Sequence, residues 1–220
     1  MQHEYAVIFD VDGVLTDSYQ PHFKSWRKMF EELDVEFTED QFRATFGRTN
    51  RDIFLELYPG QLSDDEISQR GDRKEVLYRE IISADFTQMP GAVELIDALL
   101  DDGFALGVGS SGPPENVLLT IEKLGRIDAI RGVVTGADVD RGKPDPQVFL
   151  LAAEKLDTPA NRCAVVEDAP QGVEAANRAG MKSIALTGTA TRDALSDADL
   201  VVDSLQELSP QRIADLISAR

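Results

Sequence analysis

The chain has 220 residues, of which 42% are hydrophobic, and its formal net charge at pH 7 is -18. This length suits one large domain or a core with a modest insert. The negative charge argues against nucleic acid or an anionic membrane surface as a partner, because both attract clustered Lys and Arg. The single cysteine, Cys163, excludes an internal disulfide framework. With no signal peptide and no membrane-spanning run recognisable, we expect a cytoplasmic protein, either a monomer or a weak homodimer.

Short apolar runs rich in β-branched residues alternate with helical patterns along most of the chain. The first run extends from Tyr5 to Phe9, and the later ones lie at 104–108, 132–135, 164–166, 183–186 and 200–202. Between them, apolar residues recur at helical spacing, for example over 92–100 and 117–124. This alternation predicts an α/β fold with a doubly wound, Rossmann-like parallel sheet and helices on both faces.

The alternation stops after the first predicted strand. Between about residues 18 and 87 only helical patterns occur, including a long polar helix over about 64–83. Roughly seventy residues without a strand at this place predict an inserted α-helical cap subdomain. The predicted domains are therefore a Rossmann-like catalytic core, formed by 1–17 and 88–220, and a cap formed by 18–87. The last helix is expected over about 211–217.

Polar residues follow four of the predicted strands. Asp10 and Asp12 come directly after the first, Ser110 and Ser111 after the second, and Glu167 and Asp168 after a later one. The stretch Gly142-Lys143-Pro144-Asp145-Pro146 lies a few residues beyond the run at 132–135. Ligands of open parallel sheets bind outside the carboxyl ends of the strands, so we expect these groups to converge.

The chemistry of these groups indicates phosphoryl transfer. Asp10, Asp12 and Asp168, with Glu167 beside them, cannot all stay ionised together without a cation. Oxygen ligands completed by water and a phosphate oxygen favour Mg²⁺. One carboxylate, Asp10, could attack phosphorus and form an aspartyl-phosphate, while Asp12, turned away at the glycine that follows it, handles the proton of the leaving oxygen.

Two further groups would serve the phosphoryl oxygens. Lys143 supplies a positive charge, and Ser110 with nearby backbone N–H groups donates hydrogen bonds. Taken alone, each has a plainer interpretation, because a serine before Pro113 and Pro114 is common at a helix start and a Gly-Lys-Pro turn is unremarkable.

Four segments together resemble the motifs of the haloacid dehalogenase superfamily of phosphotransferases: Asp10-Val11-Asp12-Gly13-Val14, Ser110, Lys143-Pro144-Asp145-Pro146 and Glu167-Asp168. The resemblance extends from Tyr5 to about Leu186 and includes the helical insert, which is similar to the family's cap. It implies that Asp10 is the nucleophile and Asp12 the general acid and base. It also implies that Mg²⁺ is held by Asp10, the backbone carbonyl of Asp12 and Asp168, with Glu167 nearby. True dehalogenases lack an aspartate at the position of Asp12, which favours phosphoryl transfer.

The start of the cap resembles the branch of this family that contains β-phosphoglucomutase and phosphoglycolate phosphatase. That likeness implies that His22, Trp26 and Lys74 face the substrate. The predicted substrate-binding residues are His22, Trp26, Gly47, Arg48, Thr49, Arg51, Lys74 and Ser111. Plainer interpretations stay open, since His22 could be solvated, Trp26 could belong to the cap core, and Arg48 and Arg51 could be surface charges.

One cap segment departs from the mutase pattern. In Phe46-Gly47-Arg48-Thr49-Asn50-Arg51, Phe46 stands where the mutase has a lysine, and Asn50 stands where it has the arginine that binds the distal phosphate. A neutral amide is a poor partner for a phosphate. Arg48 or Arg51 could substitute for that arginine.

These patterns predict a magnesium-dependent phosphatase that hydrolyses a small phosphorylated metabolite, of sugar phosphate or phosphoglycolate type, through an aspartyl-phosphate. A β-phosphoglucomutase-type phosphosugar mutase is the alternative. A non-catalytic binding protein of the same fold is a third hypothesis, which the intact set of Asp10, Asp12, Lys143 and Asp168 argues against.

Overall fold

The computed structural model describes residues 4–45 and 48–219. Its contacts divide the chain into two compact units. The first, which we call the sheet unit, comprises Met1–Asp17 and Gln88–Arg220, and the second, the helical unit, comprises Ser18–Thr87.

The sheet unit contains a six-stranded, all-parallel sheet in the order β3-β2-β1-β4-β5-β6. The strands are β1 (Ala6–Phe9), β2 (Ala105–Gly109), β3 (Ile130–Val134), β4 (Cys163–Glu167), β5 (Lys182–Leu186) and β6 (Leu200–Val202). The predicted α/β fold with a doubly wound parallel sheet is confirmed. Strand bounds differ from the predicted ones by at most two residues, most at β3, which begins at Ile130, and β6 has the predicted bounds.

Nine α-helices are found in the described residues. The helical unit holds α1 (Tyr19–Glu31), α2 (Glu39–Thr45), α3 (Asn50–Leu57) and α4 (Asp64–Ala84). The sheet unit holds α5 (Ala92–Asp101), α6 (Pro114–Lys123), α7 (Gln147–Lys155), α8 (Pro170–Arg178) and α9 (Pro210–Ser218). Short 3₁₀ turns lie at Gly136–Asp138, Ala160–Arg162 and Leu205–Glu207.

Strand register brings three strand ends level. Phe9, the last residue of β1, pairs with Val108 on one side and Val166 on the other. Every residue of β1, β2 and β4 is buried, as expected for central parallel strands covered on both faces. The residues that follow these strands therefore leave the sheet at the same edge.

The helical unit has its own apolar core, built around stacked and tilted aromatic rings. Phe30 lies at its centre, with its ring centroid 4.7 Å from that of Phe37, 5.8 Å from Trp26 and 6.1 Å from Phe54. No strand occurs among the residues that the structure describes in this unit. None of the helices in the described ranges combines the length and the apolar character needed to cross a bilayer.

Both chain segments that leave the sheet unit run side by side. The Met89 amide donates to the Leu15 carbonyl at 3.1 Å, and Thr16 forms an antiparallel bridge with Gln88. The segment that leads out of the sheet unit and the segment that returns to it are thus hydrogen-bonded to each other.

Candidate active site

Lys143 joins the ends of two adjacent strands. Its Nζ lies 2.6 Å from Asp10 Oδ1 and 2.6 Å from Glu167 Oε1. Asp10 follows β1, Glu167 is the last residue of β4, and Lys143 lies in the loop before α7. All three side chains are buried, so the two ion pairs are little screened by solvent. This is the convergence at one sheet edge that the sequence predicts.

Three buried carboxylates form a group that could hold a metal ion. One oxygen each from Asp10, Glu167 and Asp168 lies within 4.8 Å of the others. Carboxylate oxygens are the ligands that Mg²⁺ prefers, and a site with few protein ligands leaves room for water and a phosphate oxygen. The donor set therefore fits Mg²⁺, and the single positive charge of Lys143 does not neutralise three carboxylates.

The pKa values of this cluster reflect that excess of acid groups. Burial raises the pKa of Asp10 to about 7, with Glu167 and Asp12 adding to the shift and Lys143 opposing it. Burial, with Glu167 and Asp10, also raises the pKa of Asp168 well above its ordinary value. Although burial acts the other way, Asp10 and Glu167 raise the pKa of Lys143. A divalent cation would favour the ionised carboxylates, which the buried cluster otherwise penalises.

Both carboxylate oxygens of Glu167 accept hydrogen bonds, from three partners in all. Besides pairing with Lys143 through Oε1, it accepts hydrogen bonds at Oε2 from the Asp168 amide at 2.9 Å and the Ala169 amide at 3.1 Å. These bonds connect the residues before α8, through the Glu167 carboxylate, to Lys143.

Asp10 and Asp12, the two aspartates predicted to be catalytic, have different neighbours, and a turn follows Asp12. Gly13 has a φ of +76°, and its amide donates to the Thr16 carbonyl. A β-carbon built on Gly112 would lie 3.9 Å from Asp12 Oδ2 and 3.3 Å from Ser110 Oγ. Asp12 thus lies near the loop after β2, whereas Asp10 contacts Lys143. The two carboxylates have different surroundings, as a nucleophile and a proton-transferring group require.

The loop after β2 contains both predicted serines. Ser110 is buried, its amide donates to the Val134 carbonyl, and its Oγ accepts from the Gly112 amide at 3.0 Å. Ser111 is exposed at the start of the same loop. The backbone bonds to β3 hold this loop beside the ends of β1 and β2.

In the helical unit, His22 and Lys74 are brought together. Lys74 is 2% exposed, and its Nζ lies 2.8 Å from His22 Nδ1 and 2.9 Å from Glu75 Oε1. The His22 ring stacks on Tyr78 at a centroid distance of 4.0 Å, and Asn50 Nδ2 donates to Glu75 at 2.7 Å. Burial raises the pKa of Glu75, but Lys74, His22 and Asn50 outweigh it and leave the pKa below its ordinary value.

The other predicted substrate residues in this unit have structural partners. Trp26 is 2% exposed and packs in the aromatic core. Arg48 pairs with Glu56, and Arg51 lies 2.7 Å from Asp64. Thr49 is the N-cap of α3, accepting from the Asp52 amide at 3.1 Å. Gly47 lies outside the described residues.

Three residues of these clusters were not among those predicted from the sequence. Glu75 pairs with Lys74, Thr189 lies beside Asp168, and Gly172 approaches Glu167. Thr189 follows the end of β5. The rule that polar residues after parallel strands lie at one edge of the sheet, which predicts the place of Asp10, applies to Thr189 as well.

Comparison with known proteins agrees with this architecture. The model of the haloacid dehalogenase-like hydrolase family matches residues 7–186. Validoxylamine A 7'-phosphate phosphatase of Streptomyces hygroscopicus subsp. limoneus is 31% identical over 92% of this chain and 95% of its own. β-Phosphoglucomutase of Bacillus subtilis is 32% identical over 93% of this chain and 91% of its own.

A solved structure shows the same likeness in three dimensions. β-Phosphoglucomutase from Clostridium difficile superposes with a TM-score of 0.85 at 26% identity, over 97% of this chain and 96% of that one. The match includes the inserted helices as well as the sheet. The chain belongs to the haloacid dehalogenase-like hydrolase family, and it is an enzyme of that family's phosphoric monoester hydrolase type.

Proposed function

We propose that the protein is a magnesium-dependent phosphatase that hydrolyses small phosphorylated metabolites through an aspartyl-phosphate on Asp10. The observation that carries the proposal is the buried cluster in which Lys143 contacts Asp10 and Glu167, next to Asp168, at the carboxyl ends of β1 and β4. Relatives that include a validoxylamine A 7'-phosphate phosphatase and the hexitol phosphatase A of Escherichia coli support a phosphorylated, sugar-like substrate.

In this mechanism four residues act on the phosphoryl group, the leaving alcohol and the attacking water. Asp10 attacks the phosphorus, and Lys143 stabilises the negative charge on the phosphoryl oxygens. Ser110 holds the loop whose N–H groups donate to those oxygens. Asp12 protonates the leaving alcohol and then takes a proton from the water that hydrolyses the aspartyl-phosphate.

Asp10, Glu167, Asp168 and the backbone carbonyl of Asp12 would hold Mg²⁺. A bound Mg²⁺ supplies positive charge that offsets the charge of the phosphoryl group. Lys143 contributes a further positive charge, which the protein carries whether or not the metal is bound. We therefore expect excess chelator to abolish turnover and added Mg²⁺ to restore it.

We further infer that the helical unit acts as a cap, that His22, Lys74 and Ser111 contribute to substrate binding, and that the protein works in the cytoplasm. His22 and Lys74 in contact support a shared role for these two residues. Phosphate release from a panel of sugar phosphates and phosphoglycolate would identify the preferred ester.

A phosphosugar mutase is the second candidate, favoured by the likeness to β-phosphoglucomutase. A mutase must hold a second phosphate, which needs a cation to bind it. Arg48, Arg51 and Lys74 are each paired with a carboxylate of the helical unit, respectively Glu56, Asp64 and Glu75. These carboxylates would compete with a second phosphate for the cations, and this supports hydrolysis over isomerisation.

Phosphorus NMR distinguishes the two candidates. Enzyme, Mg²⁺, β-glucose 1-phosphate and a trace of glucose 1,6-bisphosphate are followed over time. The proposal predicts free phosphate without conversion to glucose 6-phosphate. Conversion to glucose 6-phosphate with little free phosphate would overturn the phosphatase in favour of the mutase. A parallel sample with excess chelator should show neither product.

A further inference from the structure

A loop that follows β5 reaches the acidic cluster. This loop, residues 187–190, is anchored to the neighbouring strand at its first residue: the Thr187 amide donates to the Val202 carbonyl at 2.9 Å, and Thr187 Oγ1 donates to Asp203 Oδ1 at 2.7 Å. Two residues on, the Thr189 hydroxyl lies beside the Asp168 carboxylate, whose pKa it lowers against the effect of burial. The anchor at Thr187 therefore limits how far the Thr189 hydroxyl can move from Asp168.

The turn after β1 meets the same carboxylate. A β-carbon built on Gly13 would lie 2.0 Å from Asp168 Oδ2 and 2.9 Å from Thr189 Oγ1. Gly13 has a φ of +76°, which side-chain-bearing residues rarely adopt. The backbone of Gly13 thus packs directly against Asp168 Oδ2, and the Thr189 oxygen lies beside the same point.

Asp168 is 5% exposed, whereas Thr189 is an exposed loop residue. The buried carboxylate thus has an exposed threonine hydroxyl beside it. Carboxylates that bind metals are oriented by hydrogen bonds from residues that do not touch the metal, and loss of such a partner typically weakens metal affinity about 10- to 100-fold.

We propose that Thr189 is a positioning residue: its hydroxyl donates to the Asp168 carboxylate and, together with the close approach of Gly13, holds that carboxylate in the orientation that binds Mg²⁺. This inference rests on the proposed function, which assigns Asp168 to the metal. Thr189 itself is not a ligand in this proposal. It acts through Asp168, so its loss should change metal affinity more than affinity for the ester.

Two substitutions separate the hydroxyl from the rest of the side chain. Thr189→Val keeps the shape and removes the donor, while Thr189→Ser keeps the donor and removes the methyl group. Binding of Mn²⁺, a paramagnetic substitute for Mg²⁺, is measured by electron paramagnetic resonance on the folded proteins without substrate. The Mg²⁺ dependence of phosphate release and the KM of the ester are measured in parallel.

We expect Thr189→Val to weaken Mn²⁺ binding about 10- to 100-fold and to raise the Mg²⁺ concentration for half-maximal activity similarly, with the ester KM at saturating Mg²⁺ nearly unchanged. Thr189→Ser should bind Mn²⁺ like the wild type. Equal Mn²⁺ affinity in Thr189→Val and the wild type would overturn the inference. So would a raised ester KM with unchanged metal affinity, since it would indicate direct contact with substrate.

Asp168→Asn serves as the reference variant. If it loses Mn²⁺ binding while Thr189→Val does not, only the role of Thr189 is wrong and the proposed metal site stands. If Asp168→Asn binds Mn²⁺ like the wild type, the metal site of the proposed function fails as well. Substitutions at an exposed position such as Thr189 typically have little effect on stability, so all Thr189 variants should fold.

Discussion

Replacing Gly172 by alanine should damage the active site although Gly172 takes no part in the chemistry. Gly172 is the third residue of α8, and its Cα faces Glu167. An added β-carbon would lie 1.9 Å from Glu167 Cδ, 2.0 Å from Oε1 and 2.4 Å from Oε2. To reach the 3.4 Å of ordinary contact, the carboxylate or the helix would have to retreat by about 1.5 Å.

A movement of that size breaks hydrogen bonds. The Lys143–Glu167 distance is 2.6 Å, and an added 1.5 Å or so carries it beyond hydrogen-bond range. Disrupting a buried ion pair costs about 3–5 kcal/mol, and alanine regains about 1 kcal/mol of helix propensity. We therefore expect the free energy of unfolding to fall by about 2–4 kcal/mol. Because Lys143 also contacts Asp10, kcat should fall on the order of 100-fold.

Denaturant unfolding and phosphate release together test this reasoning. Gly71→Ala is the matched control, because Gly71 lies inside α4 and an added β-carbon would meet nothing closer than 3.6 Å. It should stabilise the protein by up to about 1 kcal/mol and leave kcat unchanged. If Gly172→Ala keeps wild-type stability and activity, the packing of α8 against Glu167 does not position Lys143.

Two further predictions concern buried groups. Glu75→Gln removes the charge that pairs with buried Lys74 and should lower the free energy of unfolding by about 3 kcal/mol at pH 7. Because the pKa of Glu75 is lowered, its stabilising effect is present above the ordinary Glu pKa of about 4.3 and is lost as pH falls below that value. The free energies of unfolding of wild type and variant should therefore converge in acid. A constant difference between them at all pH values would contradict this prediction. Burial raises the pKa of Cys163 to about 12, so iodoacetamide at pH 8 should leave the native protein unlabelled and label it in denaturant; fast native labelling would show that the β4 strand opens.

Features that depend on local patterns could be predicted from the sequence. The apolar runs of β1 and β4 end in carboxylates, and the parallel-sheet rule places those ends together, which is where the structure has Asp10 and Glu167. The same rule predicts that Lys143 lies near this edge, whereas its contacts with both carboxylates are known only from the structure. The strand-free stretch after β1 likewise indicated a helical insert.

Features that depend on contacts between distant residues could not be predicted from the sequence. Thr189 is an ordinary loop residue until β5 is placed next to β4, and Gly172 looks like any glycine near a helix start until its distance to Glu167 is known. In the helical unit, spacing alone cannot tell whether Trp26 faces a ligand or the aromatic core. The roles of the predicted substrate residues in that unit stay predictions.

Phosphate release by Asp10→Asn is the most direct test of the central claim. Wild type and variant are assayed with Mg²⁺ on a sugar phosphate, phosphoglycolate and p-nitrophenyl phosphate, after circular dichroism has shown that both are folded. Removing the nucleophile should lower kcat at least about 1000-fold on every ester that the wild type hydrolyses. Activity within about tenfold of the wild type would contradict an aspartyl-phosphate on Asp10.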